Sequence, residues 1–231
     1  ATVHESDDIY TRATQQVFMI SQGEKTAALL TLLSEGGDST LVFTRTKHRA
    51  DKVARSLERA GHDVSRIHAN RSQSQRQLAL DGFRSGKYRV LVATDIAARG
   101  IDVAEIGHVV NYDLPNVPED YVHRIGRTAR ASASGRASSL VASEEMPLLR
   151  DIERYVRSPV PRGEINKSSV VFQAELRAMI ERPEPPRPPM QPNGRGGSPR
   201  GNSQPSRGFS GGAVNPPPAR APRPSYSARP R

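Results

Sequence analysis

The chain has 231 residues, 34 Lys and Arg against 24 Asp and Glu for a formal charge of +10, and no cysteine. A disulfide scaffold, a thiolate nucleophile and a cysteine-ligated metal are thereby excluded, and the positive excess suits a polyanionic partner, because Lys and Arg that neutralise phosphates release condensed counterions. No apolar run approaches the ~20 residues of a membrane span, and Ala1 to Asp8 carry neither the basic nor the apolar region of a secretion signal, so a reducing, cytoplasmic setting without a membrane partner is expected. The missing initiator Met suggests a processed or excised segment.

In chain order, short apolar runs at 16–20, 40–44, 64–68, 90–94, 108–111 and 137–142 read as strands. Between them, 24–35 places Ala27, Leu29, Leu30, Leu32 and Leu33 near helical spacing, 49–60 does so with Val53, Ala54 and Leu57, and 73–84 with Leu78, Leu80 and Phe83. A last helix is expected from Ser143 as N-cap, with Glu144 and Glu145 in a first turn that favours acidic side chains, through Leu148, Leu149, Ile152, Tyr155 and Val156 to a stop at Pro159 and Pro161. Residues 161–180 stay open between one more helix and an irregular extension, since Gly163 and the run from Ser168 to Phe172 argue against the helix. This alternation predicts an α/β domain over 15–160, a parallel sheet with helices on both faces, whose ligands gather at the C-terminal ends of the strands. Residues 181–231 hold nine Arg, no Lys, two Glu, 14 of the 19 Pro and seven of the 18 Gly, with Phe209 and Tyr226 as aromatics. Such a composition cannot bury enough apolar surface to offset its ordering entropy, so a disordered Arg/Pro/Gly-rich tail is expected.

The strongest chemical signal is His123-Arg124-Ile125-Gly126-Arg127-Thr128-Ala129-Arg130. Its three guanidinium groups fall at i, i+3 and i+6, within one broad face of a helix; they match phosphate oxygens bidentately, and Gly126 permits close approach. A solvated Arg stripe is the plain alternative for an isolated pattern of this kind. Upstream, Val90 to Asp102 forms an apolar strand running into a small-residue turn with a hydroxyl, a cation and two carboxylates. Together these segments resemble motifs VI and V of the DEAD-box RNA helicases. Leu41-Val42-Phe43-Thr44-Arg45-Thr46-Lys47 is similar to their motif IV, and Gln73-Ser74-Gln75-Arg76 to the QxxR element that follows it.

The resemblance covers roughly 15–157, leans to the bacterial type, and implies a RecA-like helicase C-terminal domain that closes with an N-terminal RecA-like domain over ATP and RNA. ATP and Mg2+ would then be held mainly by that first domain, and residues 1–14 would be the linker from it. Gly23-Glu24-Lys25-Thr26 is similar to the end of a phosphate loop but lacks the G-x-x-x-x-G-K-[ST] frame, and no strand is expected close enough before it, so a helix start with Lys25 exposed is the reading. No Asp-Glu-x-Asp tetrapeptide occurs in the 231 residues, and the chain alone is not expected to hydrolyse ATP appreciably.

By the same resemblance, Arg127 and Arg130 act as arginine fingers on the γ-phosphate, His123 and Arg124 couple that site to neighbouring loops, and Gly100 and Asp102 meet ATP. A turn or helix cap is the alternative for Asp102. Thr46, Gln73, Arg76, Thr94 and Arg99 are implied as RNA contacts through phosphate and 2′-hydroxyl oxygens, hence tolerant of sequence, with Asp95 organising the motif V turn. Two positions depart from the family pattern: Ala69 and Ser132 stand where glycines are common, which brings strain if either backbone needs φ > 0. Arg195-Gly196-Gly197 and Arg207-Gly208-Phe209 resemble RGG-type RNA-binding extensions, against a plain solubilising linker. The functional alternative is a non-enzymatic RNA-binding adaptor that keeps the RecA-like scaffold and uses its basic tail.

Overall fold

In the computed structural model, which describes residues 13–98, 106–129 and 135–181, each apolar run is a strand: β1 (Thr14–Met19), β2 (Thr40–Phe43), β3 (Val64–Ile67), β4 (Val90–Ala93), β5 (His108–Asn111) and β6 (Arg136–Val141), followed by a two-residue β7 (Arg162–Gly163). The helices are α1 (Lys25–Ser34), α2 (Lys47–Arg59), α3 (Gln73–Arg84), the single turn α4 (Asp95–Ala98), α5 (Pro118–Ala129), α6 (Met146–Val156) and α7 (Val170–Ile180). The expected linker and tail lie outside the described residues except at their inner ends.

Every strand pairing among the described residues is parallel, in the order β3-β4-β2-β5-β6-β1-β7. Alternate side chains divide the core. Val42, Val90, Val92 and Val110 pack beneath α1, α2 and Phe172 of α7. On the other face Leu41, Phe43, Leu91 and Val109 meet α3 and α4, while Val17, Ala137 and Val141 meet Tyr121 and Ile125 of α5 and Leu149 and Ile152 of α6. Central strands buried on both sides read as unbroken apolar runs, which is why they are visible in sequence. Because β4 and β5 flank β2 on opposite sides, the loops that follow these three strands converge at one edge of the sheet, the crevice where α/β folds bind ligands.

Three expectations are corrected. Lys25 is fully buried, because α1 is covered by the sheet on one side and by α7 on the other: all of Lys25 to Leu33 is buried. A strand does precede this segment, since β1 ends at Met19. The last predicted helix does not start at Ser143; Ser143–Glu145 form a 3-10 turn and α6 begins at Met146 with a proline in its first turn. Glu145 points inward rather than decorating a helix start, for reasons given below. Residues 161–180 contain both a strand and a helix: β7 pairs with β1, and Ser169 caps α7 by accepting from Phe172 N at 3.2 Å.

At the N-terminal end of the sheet His108 is buried, with Nε2 2.8 Å from Ser138 Oγ. Burial, aided by the nearby Arg136 charge, pushes its pKa down from 6.5 to about 4. The unfolded chain therefore takes up this proton first as pH falls, and the stability present above pH 6.5 is lost on the way to about 4. His108→Gln keeps a hydrogen-bond partner for Ser138 and removes the titration. In urea unfolding, the variant should lose up to about 3 kcal/mol less stability than the parent across that window.

Candidate functional site

Two sets of buried charges organise the converging loops. The first is centred on Arg124 of α5, whose side chain is 2% exposed. It donates Nε and Nη2 to the two carboxylate oxygens of Asp95, each at 2.7 Å, and Nη1 to Asn111 Oδ1 at 2.9 Å and Asp113 O at 2.7 Å. Its guanidinium also lies 4.8 Å from the Phe43 ring centre. One side chain thus ties α5 to the loops after β4 and β5 and to the end of β2. Bidentate geometry with every nitrogen donating to an oxygen is what makes burial of this charge tolerable.

The second set joins Lys25, Asp113 and Glu145. Glu145 accepts from Lys25 Nζ and Arg45 Nη2 and from the backbone N of Leu114 and Ala142. Asp113 accepts from Arg45 N at 2.9 Å and from Arg49 Nη1 at 2.5 Å, with Lys25 Nζ 3.8 Å away. Lys25 also donates to Tyr112 O at 2.8 Å. Burial pulls Lys25 below the ordinary lysine range while Glu145 and Asp113 oppose the pull. The amine that stands in the Gly23–Thr26 segment is therefore committed to two internal carboxylates, and the loops after β2, β5 and β6 are locked to α1. This explains the inward Glu145. Asp113 belongs to both sets, through its carbonyl to Arg124 and its carboxylate to Arg45 and Arg49.

Above this lattice lies a cleft of about 250 Å³ lined by Arg45, Lys47, Ala69, Thr94, Asp95, Ile96, Pro115 and Asn116. Thr94 is thus brought beside Arg45 and Lys47. Thr46, between them, caps α2 by accepting from Arg49 N at 3.2 Å. Gln73 and Arg76 stand in the first turn of α3, beyond edge strand β3, and are not part of the cleft lining; that helix is started by a reciprocal cap between Ser72 and Gln75. Asp95 spends its carboxylate on Arg124. Ala69 is not among the positive-φ residues, so its methyl group causes no strain of that kind. Arg99, Gly100, Asp102, Arg130 and Ser132 lie outside the described residues.

On α5, Thr128 is buried one turn beyond Arg124 and donates to Ile106 O at 2.5 Å. Gly135 is required behind it: a Cβ there would collide with the Thr128 hydroxyl and press on its carbonyl. His123 is exposed, with Nδ1 3.9 Å from Asp120 Oδ1, and Arg127, half-buried, sits at the border between His123 and the inward face. Sequence reasoning missed Lys25, Asp113, Glu145, Arg45 and Lys47. Of these, Asp113 had a usable signal, a carboxylate just past the end of an apolar strand.

The family described as "Helicase conserved C-terminal domain" matches residues 24–132. The RNA helicase CrhR of Synechocystis is 44% identical over 182 residues, which are 78% of this chain and 37% of that protein. Among solved structures, E. coli DEAD-box protein SrmB bound to regulator of ribonuclease activity A is 36% identical with TM-score 0.63, over 67% of this chain and 92% of that one. S. cerevisiae Dbp5 bound to RNA and ADP BeF3 is 31% identical with TM-score 0.62, over 71% and 45%. The chain spans between about a fifth and two fifths of the first curated relatives it matches, 21% and 37%.

Substituting Arg124 tests the lattice. Arg124→Lys keeps a charge but loses the fork, and should lower the unfolding free energy by about 2 kcal/mol; Arg124→Ala, which strands Asp95, should cost about 3–5 kcal/mol. Urea midpoints unchanged by either substitution would remove Arg124 from this role.

Proposed function

Because this chain belongs to the DEAD-box RNA helicases and carries their conserved C-terminal domain, we propose that it is the half of an ATP-dependent RNA helicase that closes with an N-terminal RecA-like domain over ATP and RNA. The observation that carries the reading is the anchoring of α5: Arg124 and Thr128 are buried and bound to strand ends, so Arg127 is offered from a rigid helix. ATP supplies a γ-phosphoryl group whose transfer to water concentrates charge on the transferred oxygens. Guanidinium groups fit that charge, and Arg127 with Arg130 stabilises it from across the junction between the two domains. Among the described residues no group of three His, Asp or Glu is set for a metal ion; Mg2+ is proposed to be held by the first domain, and this chain alone to be without appreciable ATPase. Gly100 and Asp102 meet the nucleoside end.

RNA lies along the strand-end edge. Thr46, Thr94, Gln73, Arg76 and Arg99 meet it, joined by Lys47 and Arg45 of the cleft. Hydroxyl, amide and guanidinium groups suit backbone oxygens, so a strand is gripped without regard to base sequence. The described helices include none long and apolar enough to cross a membrane.

The test uses the complete protein. Arg127→Ala and Arg130→Ala should each lower kcat of RNA-stimulated ATP hydrolysis by ~10³ or more while the urea midpoint and RNA binding persist; undiminished turnover sinks the catalytic assignment. Deleting 182–231 should leave ATP-dependent RNA binding in a gel shift. Loss of most affinity there would favour the adaptor reading instead.

A further inference from the structure

Helix α2 starts at the cleft and runs back along the outside of the domain, and its charges are sorted by face. Ala50, Val53, Ala54 and Leu57 are buried against the sheet. Its two acidic residues, Asp51 and Glu58, lie on one flank and both pair with Arg66 of β3, at 3.1 and 3.2 Å; Asp51 also meets His68 Nε2 at 3.2 Å. The outward face carries His48, Lys52, Arg55 and Arg59, all exposed, at i, i+4, i+7 and i+11, which places them within roughly 60° of one another around the axis. Among the described residues none of the four has a carboxylate within ion-pair distance, and Arg59 bonds only Ser56 Oγ, at 3.1 Å. The acids that would neutralise the stripe are consumed by Arg66.

A solvated cationic face is common. Here the stripe is continuous with the cleft, since Thr46 caps this same helix and Lys47 both lines the cleft and opens α2. From His48 to Arg59 it extends roughly 16 Å at ~1.5 Å per residue. That matches about five phosphates of a strand in helical form, at ~3.4 Å of axial rise each, and fewer of an extended single strand.

We propose that the outer face of α2 is a second RNA contact, a rail of Lys52, Arg55 and Arg59, with His48 at its head, that holds the phosphates of a strand continuing beyond the cleft. This rests on the RNA reading above. The ligand is a polyphosphate backbone and the contact is independent of bases.

The experiment measures binding of the 231-residue chain to a six-nucleotide and a twenty-nucleotide oligouridylate by fluorescence anisotropy at several salt concentrations. Parent, Lys52→Gln/Arg55→Gln and a control of equal charge loss on the opposite face of the sheet, Arg150→Gln/Arg154→Gln, all keep the basic tail. Glutamine preserves helix propensity at these exposed positions, and circular dichroism checks the fold. For the long RNA, the α2 variant should bind about tenfold more weakly, and its slope of log K against log salt should shrink by about 1.4, at ~0.7 per lost phosphate contact. Its short-RNA binding and the control's binding of both RNAs should stay within about twofold of the parent. Long-RNA binding unaffected in the α2 variant, as expected if the stripe serves an acidic protein instead, overturns the rail and leaves the cleft reading intact; equal loss in the control overturns it as mere net charge. A parent chain that binds neither RNA overturns the rail, whereas the RNA reading stands or falls separately on ATP-dependent binding by the complete protein.

Discussion

The buried carboxylate of Asp113 is the point on which the edge of this domain turns. It sits where β5 ends and is fully enclosed, an arrangement that is costly unless its lone pairs are occupied. Arg45 N and Arg49 occupy them, and the same residue's carbonyl receives Arg124. A second enclosed carboxylate, Glu145, does the same for Lys25, Arg45 and two backbone amides. Loops following β2, β4, β5 and β6 are therefore tied to one another by ionic contacts, in addition to the burial of Tyr112, Leu114 and Ala97 in the core. Such loops are fixed in position by these contacts, which is what the proposed closure with a second domain over RNA would require of them.

Because each member of this lattice has more than one partner, its members are not interchangeable with apolar residues one at a time. Removing Lys25 would leave Glu145 facing a short supply of positive charge, and removing Arg124 would leave Asp95 half-buried beside an empty socket. Coupling of energies between these side chains is expected, whereas the stripe on α2, exposed and separate, should behave additively.

The strands and the helicase-like segments were legible for a physical reason: central parallel strands are apolar on both faces, and the Arg-rich segment concentrates charge at helical spacing. The carboxylate–lysine lattice was not. Lys25 and Glu145 are 120 residues apart, and neither has a local pattern that separates a buried ion from a solvated one. Lys25 looked like an exposed helix start, and Glu145 like a dipole-favoured first-turn residue, because the partners that enclose them, each other and Tyr112, Asp113 and Arg45, are distant in sequence. Thr46 was legible as a polar group at a strand end, yet its capping bond to Arg49 N depends on where α2 begins, a boundary that sequence places only to within a few residues. Arg99, Gly100, Asp102 and Arg130 fall beyond the described residues and rest on family resemblance.

The position of β1 has a temporal consequence. This first strand sits between β6 and β7, the last two, with Thr14 opposite Arg136. During translation it leaves the ribosome with neither neighbour made, and roughly 120 residues must follow before β6 can receive it, a wait of order ten seconds at ~5–20 residues per second. Val17 and Phe18 then face water on a nascent chain whose central strands already have their partners. That leaves β1 the strand with the longest wait for a neighbour, unprotected until β6 arrives, and β7 can pair only once β1 is in place.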